Sequence, residues 1–247
     1  MMPTQGAQPA GTSDPQSAAR AVRDMFDSIA PRYDLLNHVL SMNIDRLWWW
    51  RTARKFQNIL ARPETTILDI CCGTGDMTMA LLRHRPANAK PVLAADFSHQ
   101  MLIRGNSKFL RHNAVAVEAD ALQLPLASSS IDLVTSAFGF RNLSNYLAGL
   151  TEFYRVLRPG GEFGILDFSE PSGITGKLYA FYFRRVLPAI GSRISGTTGP
   201  YAYLPASVHH FPPPAEMLDQ MRSAGFVDVS WQPYSFGIAG LYRGVKP

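Results

Sequence analysis

Residues 68–77, "LDICCGTGDM", decide the fold. An apolar run ends in two glycines one residue apart, and a helix-forming stretch, "DMTMALLRH", follows at once. A buried strand that turns on glycine into a helix is the opening unit of a parallel α/β sheet, and the turn lies where such sheets hold nucleotides. Carboxylates fence it, Asp69 before and Asp76 after. The question is which nucleotide tolerates that much negative charge.

Working outward, the same alternation repeats. "TTILDIC", "PVLAADF", "AVAVEAD", "IDLVTSAF" and "GEFGILDF" read as strands. Helices are expected over "DMTMALLRH", "SHQMLIRGNSKFLRHN" and "YLAGLTEFYRVL". Near-continuous apolar strands separated by helices predict a mostly parallel, Rossmann-like sheet covered on both faces. "RPGG" reads as a turn ahead of the fifth strand, and "GFVDVSWQPY" with "GIAGLYRGVK" as a C-terminal antiparallel pair. Residues 1–20, rich in Pro, Gly, Ser and Gln, read as a flexible tail ahead of a single domain, 21–247. Residues 21–62 are expected to form a helical cap, with Val22, Met25, Phe26 and Ile29 at helical spacing and Pro31 ending the segment. Trp48, Trp49 and Trp50 cannot share one helical face; two packed rings and one exposed ring, or a ring offered to lipid or cofactor, both fit. Residues 170–215 are long for a connection and read as a lid.

Composition narrows the class. The chain has 247 residues, 46% hydrophobic and 17% charged, which excludes a disordered chain. A net charge of +5 is spread without a basic run, so no nucleic-acid partner is inferred. The two cysteines, Cys71 and Cys72, are adjacent and offer neither a disulfide framework nor CxxC spacing. The six histidines show no metal-ligand spacing, so no metal is expected. No run approaches the ~18 apolar residues of a membrane span, and no signal-peptide core opens the chain. A cytoplasmic enzyme is the expectation.

The glycine turn discriminates further. A dinucleotide fingerprint would place a third glycine where Thr78 stands. Asp76, in the first turn of the helix, would repel a pyrophosphate there. S-adenosylmethionine carries an ammonium and a sulfonium and no phosphate, so the acids favour it over NAD. Asp96 ends the second strand, where a carboxylate can accept ribose hydroxyls. Asp120, with Ala121, follows the third, where one can take the adenine amino group.

The chain resembles the menaquinone/ubiquinone biosynthesis C-methyltransferases, class I S-adenosylmethionine-dependent enzymes, from about Val22 to the C-terminus. "YDLLNHVLSMNIDRLW" supplies Tyr33, Asp34, Asn37, Ser41 and Trp48 of the first signature, with Leu36 for its Met and Asp45 for its His. "RVLRPGGEFGILDFS" supplies Arg155, Val156, Pro159, Gly160, Gly161 and Ser169 of the second, with Arg158 and Asp167 as conservative replacements. "FGFRNL", "SVHHFP" and "GIAGLYRGVK" also look like the family. The resemblance implies cofactor contacts at Asp69, Gly73-Thr74-Gly75, Asp96, Asp120 and Ala121, with Ala137 where the family often has a serine. It implies methylation of a prenylated quinol ring carbon, demethylmenaquinol first and 2-polyprenyl-6-methoxy-1,4-benzoquinol as the alternative. A noncatalytic cofactor-binding scaffold is the rival reading.

Such a reaction requires a quinol hydroxyl to lose its proton, placing charge on the adjacent carbon that takes the methyl group. Arg141, beyond the fourth strand, is the candidate for stabilising the phenolate or holding a basic water, with a structural ion pair as its other reading. Tyr33, Asn142, His209 and His210 are secondary candidates, and Asp45 is read as orienting. The aromatic and basic "LYAFYFRRVLPAIG" suits either a lid against a membrane surface or core packing. Peripheral contact with the membrane inner face, a homodimer or a quinone-biosynthesis complex are compatible partners.

Overall fold

A computed structural model describes residues 6–7, 9, 11–30, 43–171 and 199–247. Helix α1 (Pro15–Ile29) begins inside the stretch expected to be a flexible tail. Its start was set by an overlooked cap: Asp14 accepts the Gln16 and Ser17 N–H groups, the Ser17 hydroxyl accepts the Asp14 N–H in return, and Pro15 opens the first turn. Helices α2 (Ile44–Lys55) and α3 (Gln57–Leu60) complete the described part of the helical cap.

The alternating core follows as β1 (Ile67–Ile70), α4 (Asp76–Leu82), β2 (Val92–Asp96), α5 (His99–Arg111), β3 (Ala114–Glu118), β4 (Ile131–Ala137), α6 (Tyr146–Val156) and β5 (Leu157–Phe168). Helices α7 (Gly199–His210) and α8 (Pro214–Ser223) precede β6 (Val227–Tyr234) and β7 (Ala239–Val245). The sheet order is β3-β2-β1-β4-β5-β7-β6, parallel through β5, with β7 antiparallel to both β5 and β6. This is the expected sheet with its closing antiparallel pair. Most of the expected lid, residues 172–198, lies outside the described residues, as do Tyr33, Asp34, Asn37 and Ser41.

Period-2 side-chain alternation divides the core between the two sheet faces. Leu68, Ile70, Val134 and Ile165 pack with Tyr146, Leu150 and Phe153 of α6 and with Met217 and Met221 of α8. On the other face Ile67, Val92 and Leu133 meet Ala53, Phe56, Ile59 and Leu60 from the cap and Met77 and Leu81 of α4. Of the three tryptophans, Trp48 is buried, Trp49 half-buried and Trp50 exposed.

"RPGG" is a bulge within β5 rather than a turn ahead of it. Ile131 pairs with Leu157, but Leu133 pairs with Glu162, so the strand loops outward between them. The loop is held from outside, because Gly160 N–H donates to the Lys246 carbonyl at 2.8 Å and Lys246 N–H to the Gly161 carbonyl at 2.9 Å.

The second glycine of the opening turn is fixed by packing. Gly75 has φ +92°, and a Cβ there would lie 2.4 Å from Cε1 of Phe109 on α5. Gly75→Ala should therefore cost about 2–4 kcal/mol, combining left-handed strain with overpacking, measured as a fall in the urea midpoint at unchanged slope.

Candidate active site

The C-terminal ends of β1, β2 and β4 frame a cleft of about 680 Å³ that opens to solvent. Gly73, Asp96, Asp120, Ala121 and Ala137 all line it, so these five of the expected cofactor residues come together. Asp96 is 6% exposed and braces the floor: one carboxylate oxygen accepts the Gly73 N–H and the other the Ser98 N–H, each at 2.8 Å. Each oxygen keeps a second lone pair for a hydroxyl donor. Burial pushes this carboxyl up to about 6 against the pull of the Ser98 and Gly73 amides, with Asp27 raising it further. Asp120 is exposed and caps its own turn by accepting the Leu122 N–H at 2.9 Å.

The other expected cofactor residues stand behind the cleft. Asp69 is fully buried and accepts the Thr78 hydroxyl at 2.6 Å and the Thr135 hydroxyl at 2.8 Å. Burial raises its carboxyl to about 7, the two hydroxyls lower it and the Asp96 charge raises it. Thr74 is buried outside the lining, and Gly75 packs on Phe109.

Asp76 does not stand as a bare charge at the helix start, because Lys108 of α5 meets it at 2.8 Å. That pairing removes much of the repulsion argued from sequence. The cleft itself is acidic: Asp96 and Asp120 are its charged linings, and among the described residues no Lys, Arg or His lines it. A diphosphate would meet two carboxylates there without a cation, whereas a sulfonium and an ammonium would meet complementary charge.

Backbone strain gathers at the same rim. Cys71 (φ 55°) and Phe138 (φ 60°) are non-glycine residues in the left-handed region at the tips of adjacent strands, and both line the cleft. Gly139 admits the first, since a Cβ there would lie 2.3 Å from the Cys71 Cβ. Burial, reinforced by Asp96, keeps the Cys71 thiol well above its ordinary value, hence protonated. Neither strained tip was legible in the sequence, where both residues read as ordinary strand ends.

Arg141 faces inward, 5% exposed and outside the cleft lining. Its guanidinium pairs with Asp167 at 2.8 Å, donates to the Phe138 carbonyl and reaches the Ser207 hydroxyl at 3.3 Å. Its N–H donates to the other Asp167 oxygen at 3.0 Å, and its ring neighbour is Phe168 at 5.3 Å. The structural ion pair is the arrangement observed, 26 residues apart in sequence. Asn142 does reach the cleft, and its carbonyl oxygen accepts the Tyr203 hydroxyl of α7 at 3.1 Å. Tyr203 was missed because nothing in sequence ties it to a residue 61 positions away.

The remaining candidates lie apart from the cleft. Asp45 is buried in the first turn of α2, where it accepts the Arg46 N–H at 2.7 Å. His209 is exposed and pairs with Glu170 at 3.1 Å, and exposed His210 bonds its own helix at the Ala206 carbonyl.

Two outcomes follow from these buried charges. Arg141→Ala would strand the Asp167 carboxylate, and we expect a loss of about 3–5 kcal/mol in chemical denaturation; unchanged stability would contradict the pairing. For Asp69, a folded pKa raised above the unfolded value means the group favours the native state on the acid side. That contribution is present below about pH 4 and is lost as pH rises through about 7. Thermal melts of Asp69→Asn should accordingly depend less on pH across this window than those of the wild type.

The profile of the ubiE/COQ5 methyltransferase family matches residues 14–246. A demethylmenaquinone methyltransferase of Deinococcus radiodurans is 43% identical over 236 residues, 94% of this chain and 95% of the relative. The ubiquinone/menaquinone biosynthesis C-methyltransferase UbiE of Geobacter sulfurreducens is 41% identical, covering 91% of this chain and 88% of its own. Among solved structures, the cyclase SpnF superposes with a TM-score of 0.67 at 15% identity, covering 98% of this chain and 99% of its own. A Thermotoga maritima protein described as a methyltransferase, possibly acting on histamine, gives 0.63 at 18%, covering 91% and 99%. At such identities the superpositions speak for the fold alone. The profile match and full-length relatives carry more: the chain belongs to the ubiE/COQ5 methyltransferase family.

Proposed function

We propose that this protein transfers a methyl group from S-adenosylmethionine to a ring carbon of a prenylated quinol, with demethylmenaquinol as the acceptor. The observation that carries the reading is family membership joined to a cleft whose charged linings are two acids. Full-length relatives named demethylmenaquinone methyltransferase support the naphthoquinol. Two relatives named for both ubiquinone and menaquinone biosynthesis, at 41% and 39% identity, favour a benzoquinol as the second reading.

The residues fit the cofactor. Asp96 has free lone pairs for the ribose hydroxyls, Asp120 suits the adenine amino group, and Gly73 leaves room for close backbone approach. S-adenosylmethionine supplies an electrophilic methyl group on a sulfonium. The protein's part is to align the acceptor carbon and to keep water away, for which Phe97, Met101, Leu122, Phe138 and Leu143 provide apolar walls. Asn142, oriented by Tyr203, and Ser144 are the polar residues of the loop after β4 that line the cleft, and Asn142 would hold the acceptor. Arg141 acts as a positioning residue, holding the Phe138 carbonyl and so the left-handed tip beside Asn142. The prenyl tail would keep the substrate in a bilayer, so the protein works at a membrane surface. Among the described residues no helix is long and apolar enough to cross a membrane.

The decisive experiment is turnover with labelled cofactor and reduced short-tailed quinols, naphthoquinol against benzoquinol. Ring-carbon methylation of the naphthoquinol is expected, and no product from either would overturn the reading. Cofactor binding adds a pH test. Ribose hydroxyls donate to the Asp96 carboxylate and favour its ionised form. Affinity should therefore rise between about pH 5 and 7, and calorimetry in buffers of different ionisation enthalpy should show proton release near pH 6. NADH should not bind.

A further inference from the structure

Helix α2 turns an unusual face to solvent. At about 100° per residue, Asp45, Trp48, Thr52 and Ala53 form its buried side. Ile44, Leu47 and Trp50 lie across the opposite side, 36%, 50% and 42% exposed. Cations alternate with them: Arg46, Arg54 and Lys55 are exposed, Arg54 sits 5.3 Å from the Trp50 ring, and Arg51 lies 4.5 Å from the Tyr234 ring. Between Asn43 and Ala61 the sole acid is Asp45, which is buried. The exposed face is thus apolar and purely cationic.

A second element adds to it. The Trp48 indole N–H donates to the Ser235 hydroxyl at 2.9 Å, which sets the turn between β6 and β7 against α2. The next residue, Phe236, is 86% exposed and has φ 59°, in the left-handed region. A large aromatic ring held mostly in water on a left-handed backbone gains little from burial and carries backbone strain. Such rings do contribute where one side of the molecule meets lipid.

The same surface leads back to the cleft. Phe138 lines the cleft, and its ring lies 5.8 Å from Trp48 and 4.5 Å from Phe168, with Trp48 and Phe168 6.1 Å apart. Three aromatic rings therefore run from the cleft wall at Phe138 to Trp48, whose indole bonds the residue before Phe236.

We infer that α2 and the β6–β7 turn form a docking surface for an anionic lipid bilayer. Leu47, Trp50 and Phe236 enter the interfacial region, while Arg46, Arg54 and Lys55 contact the headgroups. The Phe138–Trp48–Phe168 rings give a prenyl tail an apolar path between bilayer and cleft. This rests on the prenylated quinol being the substrate. Charge complementarity selects the occupant: phosphates and carboxylates of anionic headgroups match the α2 face, whose one acid is buried, whereas a second copy would bring the same cations against it; exposed Glu170, beside the β6–β7 turn, is paired with His209 at 3.1 Å.

The test is flotation of the intact protein with phosphatidylcholine vesicles, with and without phosphatidylglycerol. The wild type should float with the anionic vesicles, and more weakly as salt is raised. Leu47→Gln combined with Phe236→Asn should lower the partition about tenfold or more, since two interfacial apolar side chains are lost. Both sites are exposed and asparagine suits a left-handed residue, so melting should be unchanged. Arg46→Gln with Arg54→Gln should erase the preference for phosphatidylglycerol. In the Leu47→Gln, Phe236→Asn protein, methylation of a short-tailed quinol in solution should match wild type, while methylation of a long-tailed quinol in vesicles falls. Absence of flotation by the wild type, equal flotation by the apolar variant, or a dimer that this variant dissociates while flotation persists would each overturn the surface. A protein that floats by this face yet methylates neither quinol would overturn the substrate instead and leave the surface standing.

Discussion

The arrangement rests on a carboxylate shut away from water. Asp69 sits in β1, an interior strand of the sheet, and its two oxygens accept hydrogen bonds from the hydroxyls of Thr78 on α4 and Thr135 on β4. A buried charge is costly unless hydrogen-bonded, so this acid holds three elements in one register. Because α4 is held at Thr78, the turn from Cys71 to Gly75 has little freedom left. Phe109 closes over Gly75 from the far side and completes the constraint.

Asp96 performs a related task one strand away, where water can still reach. It collects the amides of Gly73 and Ser98, and so couples the glycine turn to the start of α5. The Ser98 hydroxyl in turn donates to Asp27 of α1 at 2.5 Å, and Arg23 of the same helix stacks on Phe97 at 5.2 Å. Helix α1 thereby becomes part of the cleft, contributing Ala19 and Phe26 to its wall. On the other side the Arg141–Asp167 pair fixes the loop after β4. The cleft is bounded by two rigid buried polar clusters, one under each end.

Much of this was legible because it depends on local order. Apolar runs bounded by turns gave the strands, and carboxylates at the ends of β2 and β3 marked the ligand edge, since open α/β sheets bind ligands at the carboxyl ends of their strands. What escaped depends on partners distant in sequence. Asp76 reads as an anion-repelling charge until Lys108 is brought beside it, and Arg141 reads equally as a phenolate-stabilising group or a structural ion pair until Asp167 is found against it. Asp69 and Asp96 look alike on paper, each an acid in an apolar strand beside the ligand edge. They differ because two threonines fill the space before one and none fills it before the other. The cap at Asp14 was a local signal, but serine in place of the usual acid or amide at its third helical position hid it among tail-like residues.

The described N-terminal residues touch this same cleft. Ala7 N–H donates to the Leu143 carbonyl at 2.8 Å, and Gly6 lies so close to Ser144 that a Cβ would fall 2.0 Å from its carbonyl oxygen. Leu143 and Ser144 both line the ligand space. Lys246, by contrast, is fastened to Gly160 and Gly161 at the opposite ends of the strands. The segments around Ala7 and Lys246 are thus unequal places to attach anything. A fluorophore attached at Gly6 or Ala7 would sit against Leu143 and Ser144 of the cleft lining and distort binding measurements. A label at Lys246 or Pro247 stands at the other ends of the strands, away from the cleft lining, and that is where a surface-immobilised assay should anchor this protein.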